Sequence, residues 1–409
     1  METWLESDNN SRLLLYKPFH SCLQFVKSER PLPEGLKKES NVRTKLARDL
    51  GMEVPLFAFT RSKEVVLEVS RAGGMGVLGA VAMSPEELDA DLHWIDARIG
   101  GKPYGVDTVM PMNYLGRGEE VSKDALKKHI PQQHHDFVSQ ILVDHDVAPL
   151  PDDYERHESL LGWSVEMGMQ HIEVSLRHPI ALIANALGTP PQDCMDLAHE
   201  KGVKVAALCG KPKQAIAHHN AGVDIIVAQG WEAGGHTGEI AGMVLCPEIV
   251  DAVGDTPVLM AGGIGCGRQM AAALSLGAEG VWTGSIWLTV AENEGYHPDV
   301  VTKKLLEAGS GDTVRSRCIS GKPARQLKTE WTKLWDGDAS PGTLPIPLQW
   351  MVQSEAVERI YHHEVEALAG SPVGQIVGRM NAVQTTAQVM EEFVREYRQA
   401  LSRMQGFDA

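Results

Sequence analysis

From residue 54 to residue 285 short apolar runs alternate with segments in which apolar residues recur every three or four positions. The runs are 54–60 (VPLFAFT), 75–81 (MGVLGAV), 104–110, 180–187, 203–208, 223–229, 257–262 and 280–285. Each has the length of a parallel strand covered on both faces. The periodic segments 63–72, 85–98, 160–177, 192–200, 212–220 and 267–276 predict helices, although IEVSL inside 160–177 also reads as a strand. Ser84 suits an N-cap, with Pro85 at the first helical position and Glu87 placed to close a capping box. A short helix over 43–50, ended by Gly51, marks where ordered structure begins. Eight strands alternating with helices predict an α/β fold of the closed (β/α)8 TIM-barrel type.

The alternation breaks in three places. Residues 1–40 lack a clear period and read as an N-terminal extension. Residues 111–156 are polar, rich in histidine and acid, and too long for an ordinary strand-to-helix loop. They are expected to form a helical insertion at the carboxyl end of the third strand, over the active-site face. After Trp287 come a helix at 300–308, an irregular stretch through TVRSRCISGKPARQLKTEW, a proline-rich linker at 341–347 and two long helices at 349–368 and 383–404. The expected division is an extension 1–40, a barrel 41–290 and a C-terminal helical lobe 291–409 that covers the site from a second side.

Composition narrows the classes of partner. A length of 409 residues exceeds the roughly 250 of a typical barrel, so additions of this kind are required. The net charge of −16 argues against a general nucleic-acid or anionic-membrane surface, and an anionic ligand would need a local positive site. Six scattered cysteines form no C-x-x-C pair, so neither a disulfide framework nor a zinc site is written in them. Charges at Glu2, Glu6 and Asp8 are unlike a signal peptide, and no apolar run is long enough to span a membrane. A cytoplasmic protein is expected; a homo-oligomer is compatible with the sequence.

The chemistry concentrates between residues 223 and 285. In AGGIG, Gly262, Gly263 and Gly265 offer unobstructed amides, and Gly284 and Ser285 after the eighth strand add an N–H and a hydroxyl. Two tight turns would look the same. Yet these are the two strands that share the usual barrel phosphate site, beside a helix N-terminus. A G-x-G-x-x-G match at Gly74, Gly76 and Gly79 is misleading, because Gly76 and Gly79 lie within a strand rather than opening a helix. His236 sits in EAGGHTG after the sixth strand without apolar neighbours, placed to take or give a proton near neutral pH. The pairs His134/His135 and His218/His219 lack a third ligand at metal spacing and read as solvated faces, His362 and His363 precede an acidic helical run and read as surface, and no metal is expected. Arg325 in GKPARQL is either an anion contact or an ion pair tying the tail to the barrel.

With these residues placed, the chain resembles the FMN-dependent nitronate monooxygenase superfamily, once called 2-nitropropane dioxygenases, which includes flavin-dependent enoyl reductases. AGGMGVLG (72–79), AQGWEAGGHTG (228–238), AGGIGCGRQMAAALSLGA (261–278) and GKPAR (321–325) carry the likeness. It implies FMN as cofactor, touched by Gln229 and Gly234, with Gly262, Gly263, Trp282, Thr283, Gly284 and Ser285 at its phosphate arm and His236 as catalytic base. Two departures concern the substrate. FAFTRS (57–62) stands where nitronate monooxygenases show a proline–methionine pair, and Asp107, counted among the cofactor-facing positions, stands where they place asparagine. FAFTRS, GGKPYGVDTVMP, GVWTGSIWLT and GKPARQLKTEWT are instead similar to the acyl-CoA dehydrogenase branch of steroid C- and D-ring degradation.

That resemblance implies hydride transfer between a cyclic acyl-CoA thioester and flavin, with NAD(P) as second partner. Lys322, Arg325 and Lys328 are the candidates to hold the anionic CoA, or else to hold the tail to an acidic barrel face. Oxidation of alkyl nitronates with oxygen is the alternative reaction, and a flavin-binding sensor without turnover the alternative of another class.

Overall fold

The computed structural model describes residues 43–110, 123–154, 165–293, 295 and 297–408. The expected extension 1–40, parts of the expected insertion (111–122 and 155–156) and the start of the helix expected over 160–177 lie outside the described residues. Eight parallel strands form a closed barrel: β1 (Leu56–Thr60), β2 (Met75–Gly79), β3 (Tyr104–Val109), β4 (Leu182–Ala186), β5 (Lys204–Cys209), β6 (Ile225–Gln229), β8 (Val258–Ala261) and β9 (Gly280–Thr283). Closure comes from β9 pairing with β1, where Phe57 stands opposite Trp282. Seven fall within the apolar runs predicted and β5 runs one residue past its own, to Cys209, while IEVS of IEVSL belongs to the helix Val165–Ser175.

Alternation along each strand fills the barrel. Phe57, Met75, Val77, Leu182, Ala184, Ala206, Ile225, Val227, Leu259 and Trp282 are buried in one cluster that occupies the interior. Their neighbours, among them Leu56, Leu78, Val106 and Ile226, are buried instead in the clusters that include the surrounding helices. The interior is therefore packed, and chemistry is confined to the ends of the strands. The helix Pro85–Ile99 forms the predicted capping box: Glu87 N–H donates to Ser84 Oγ at 3.1 Å and Ser84 N–H to Glu87 Oε2 at 2.7 Å.

The segment after the barrel is less irregular than its sequence suggests. Strands β10 (Thr313–Ser316) and β11 (Ala324–Leu327) pair antiparallel, and β11 pairs with the two-residue strand β7, Gly235–His236. Beyond them lie the helices Leu348–His362 and Thr386–Gln405. The last of these packs against the helix Gly267–Ser275 so closely that a Cβ at Gly267 would stand 2.0 Å from the Phe393 carbonyl oxygen. Of the expected insertion, the helix Gln132–Asp144 packs against Leu348–His362, and the Phe137 ring meets Trp335 edge to face at 5.0 Å.

Candidate active site

A cavity of about 1070 Å³ opens at the carboxyl ends of the barrel strands, just above the roughly 300–1,000 Å³ common for small-molecule sites. Its walls come from strand ends, from the β10–β11 arm and from the helix Leu348–His362, which contributes Trp350, Gln353 and Val357. None of the described residues of the insertion lines it. The tail helix walls the cavity there, and the described helix Gln132–Asp144 of the insertion backs that helix.

One wall is built from glycine. Gly262 and Gly263 follow β8 with φ of +96° and +70°, a region that L side chains rarely adopt. Gly284 follows β9, and a Cβ added there would meet only a Phe59 ring carbon at 3.8 Å, so this backbone faces cavity rather than protein. Ser285 Oγ accepts from Gly374 N–H at 2.8 Å, which leaves its own proton to donate. Gly265 corrects the sequence reading. Its N–H donates to Gln269 Oε1 at 2.8 Å, while Gln269 Nε2 donates to the Gly263 carbonyl. Gln269 thus braces the turn, and Gly265 does not line the cavity. Thr283 lines the cavity, but its hydroxyl donates to the Phe57 carbonyl at 3.0 Å and accepts from Trp287 Nε1 at 3.0 Å, so it acts as a brace. Trp282 stacks on Phe57 at 6.2 Å. Gln229 and Gly234 both line the cavity. Gly234 also lets the tail approach, since a Cβ there would stand 2.7 Å from Gly374 N.

A second wall carries His236. Its loop is fixed by long-range partners: β7 pairs with β11, Arg315 Nη2 donates to the Thr237 carbonyl at 3.2 Å, and Trp231 lies under both Arg315 and Arg325, at 4.2 and 5.1 Å. Arg325 donates from Nε and Nη2 to the Trp231 carbonyl, at 3.1 and 3.0 Å, and from Nη1 to Thr313 Oγ1 at 3.1 Å. It is a clamp on the histidine loop and does not line the cavity, which corrects its candidacy as a substrate contact. Lys328 is exposed, donates to the Gly311 carbonyl at 2.6 Å and also lies off the cavity. Lys322 alone of the three lines it.

His236 Nε2 lies 2.6 Å from Ser320 Oγ. Enclosure by protein, and next the Lys322 ammonium, push its pKa down to about 4. The imidazole is therefore neutral at pH 7, the form that accepts a proton. Asp107 behaves in the opposite sense. Burial at 4 % exposure pushes its carboxyl up to about 8, against a smaller opposing pull from Arg61, so at pH 7 it is mostly protonated and a neutral hydrogen-bond donor.

Sequence reasoning missed several cavity residues. Arg61, Lys211 and Lys213 line it with Lys322, and Asp107 is the sole acidic residue among the described lining residues. Their signal was present: Arg61 follows β1, and Lys211 and Lys213 follow β5, where barrel strands end at the catalytic face. His297 is a second neutral imidazole, pushed down to about 4 by burial and then by Arg61, with Nε2 3.2 Å from Ser371 Oγ. Ser320, like His297, lies beyond the barrel, where no strand end points to it.

Comparison with known proteins decides the family. The nitronate monooxygenase family model matches residues 59–396. The chain belongs to the nitronate monooxygenase family. It is 48% identical over 375 residues to a Mycobacterium tuberculosis protein named as a monooxygenase, covering 89% of this chain and 99% of that one. A Staphylococcus saprophyticus protein named as a nitronate monooxygenase is 27% identical over 67% of this chain and 74% of its own length. The nitroalkane oxidase of Streptomyces ansochromogenes has the same fold, with a TM-score of 0.71 at 22% identity, over 87% of this chain and 99% of that one. The protein is an oxidoreductase of this family. Among its described residues no helix is long and apolar enough to cross a membrane.

Proposed function

We propose that the protein is an FMN-dependent oxidoreductase acting on an anionic acyl thioester, a CoA ester of a cyclic carboxylic acid, with NAD(P) as the second redox partner. The observation that carries this reading is the charge of the cavity. Arg61, Lys211, Lys213 and Lys322 face one carboxyl, itself mostly neutral, in a chain of net charge −16. Such a concentration of cations matches a bulky polyphosphate nucleotide better than a small nitronate. The glycine wall fits the phosphate of FMN: left-handed backbone at Gly262 and Gly263, open space beside Gly284 and the Ser285 hydroxyl make one compact anion cradle. FMN, when bound, supplies the hydride-exchanging centre. Neutral His236, oriented by Ser320, takes a proton from the carbon made acidic by the thioester carbonyl, and Lys322 opposes a lasting imidazolium.

A second reading, oxidation of alkyl nitronates with oxygen, is favoured by the names of the relatives. Calorimetric titration of the flavin-loaded enzyme with a cyclic acyl-CoA separates the two. The proposal expects saturable binding that weakens severalfold in Lys211→Ala/Lys213→Ala and with rising salt. Absence of thioester binding by an enzyme that turns over nitronates overturns it.

A further inference from the structure

Away from the cavity, the outer flank of the barrel carries a cluster that the proposed reaction does not use. The helix Pro85–Ile99 presents Asp89, His93 and Asp96 at i, i+4 and i+7, hence along one face. Across that face lies His178, in the turn before β4, its side chain only 3 % exposed. His178 Nδ1 is 2.6 Å from Asp96 Oδ2 and its Nε2 is 3.2 Å from Asp89 Oδ1. His93 Nδ1 lies 3.3 Å from Asp89 Oδ2, and the two imidazole rings meet edge to face at 4.7 Å.

We propose that Asp89, His93 and His178 form a binding site for one zinc-type divalent cation. One ligand atom from each lies within 4.8 Å of the other two. Zinc bonds of about 2.0–2.1 Å in a tetrahedron place neighbouring ligand atoms about 3.3 Å apart; His178 Nε2 stands 3.2 Å from Asp89 Oδ1 and His93 Nδ1 3.3 Å from Asp89 Oδ2, so the two imidazoles flank the two oxygens of one carboxylate. His93 Nδ1 also stands 2.9 Å from the Asp89 carbonyl oxygen, and a swing of this exposed ring off that carbonyl turns Nδ1 towards the ion and closes the His93–His178 gap. Asp96 supplies the outer partner such sites use: its carboxylate, which accepts from the Tyr104 hydroxyl, also accepts the Nδ1–H hydrogen bond of His178 and so leaves Nε2 to face Asp89. Two nitrogens and one carboxylate suit zinc better than magnesium or calcium, which prefer all-oxygen shells. With both imidazoles in the neutral form that a metal requires, the two carboxylates leave a charge of minus two, which a dication cancels. Arg177 is close enough to stabilise the Asp89 charge and competes with the cation to that extent.

None of the three ligands lines the cavity, so the cation is a clip rather than a reactant. It joins the helix between β2 and β3 to the segment entering β4, with water at the open position on the solvent side. The competing arrangement is a protonated His178 bridging two carboxylates with no metal at all.

Zinc titrated calorimetrically into chelator-treated, flavin-loaded enzyme distinguishes them. The proposal expects about one ion bound in the micromolar range or tighter, with a higher unfolding midpoint in zinc than in chelator. His93→Ala, at an exposed position that leaves the fold intact, removes both the binding and the midpoint rise. Asp96→Asn, which keeps all three ligands, weakens zinc by roughly 10–100-fold. Failure to bind zinc, or binding that His93→Ala and Asp96→Asn leave unchanged, overturns the site in favour of the ion-pair network.

Discussion

The two walls of the cavity are specified in different ways. The glycine wall is nearly local: β8, its turn and the helix Gly267–Ser275 are contiguous, Gly284 and Ser285 join them from the end of the next barrel strand, β9, and the left-handed backbone of the turn falls on glycines, Gly262 and Gly263. The histidine wall is assembled from distant segments. His236 takes its hydrogen-bond partner from Ser320, its strand pairing from Ala324 and its electrostatic neighbour from Lys322, and Arg325 clamps its loop through Trp231. On the proposed function, cofactor affinity resides mainly in a short stretch of backbone, whereas proton transfer depends on a tertiary contact between barrel and arm. The walls should fail separately.

The largest effect is expected at the glycine wall. Gly263→Val forces a β-branched side chain to φ of +70°, with its Cβ 3.1 Å from Glu232 Cβ, and should yield a folded protein purified without flavin and without activity. Far-ultraviolet circular dichroism and the flavin absorbance check the two halves of that statement; full flavin occupancy would show that the two walls are not specified as described.

At the histidine wall the loss should be kinetic. His236→Ala is expected to retain flavin while the substrate half-reaction slows by roughly 10²–10⁴-fold, about 3–5 kcal/mol of barrier, as read by stopped-flow absorbance. Lys322→Ala sharpens the same point through pH. With His236 at about 4, the acid limb of kcat/KM in the native enzyme should fall below pH 5. Removing the ammonium relieves a repulsion on the imidazolium, so the limb should move up towards 6.5 without reaching it, because burial is the larger cause. A limb that stays in place would separate Lys322 from the histidine.

The smallest effect is expected at Asp107. Since its carboxyl is mostly protonated below about pH 8, Asp107→Asn replaces one neutral group by another, and flavin retention at pH 7 should be unchanged within a few-fold. The two proteins should diverge at pH 9, where Asp107 ionises and asparagine does not. Equilibrium dialysis of the flavin at both values decides the matter.

The same contrast explains what the sequence made legible. Apolar runs, the Ser84 cap and the AGGIG turn are local signals, so all eight barrel strands and the glycine wall could be read from contiguous residues. His236 could be read as a candidate, but Ser320, 84 positions away, could not. The stretch around GKPAR lacks a clear period because β10 and β11 are four-residue strands whose partners are each other and a two-residue strand in the barrel loop. Arg325 and Lys328 carry the same charge as Lys322, and sequence alone cannot tell which of the three faces the cavity; pairing alternation and the Trp231 carbonyl settle it. Asp89, His93 and Asp96 share a readable helical spacing, but His178 joins them only in the folded barrel.

The central claim, that the cation-lined cavity serves an acyl thioester, is tested most directly by anaerobic reduction of the flavin followed by its absorbance. A panel of NADH, NADPH, an alkyl nitronate and cyclic acyl-CoA thioesters is mixed with the enzyme in turn. The account predicts that a nicotinamide bleaches the flavin and that a cyclic enoyl-CoA restores its colour, or that the saturated thioester bleaches it directly. Bleaching by the nitronate alone, with every thioester inert in both directions, would contradict it.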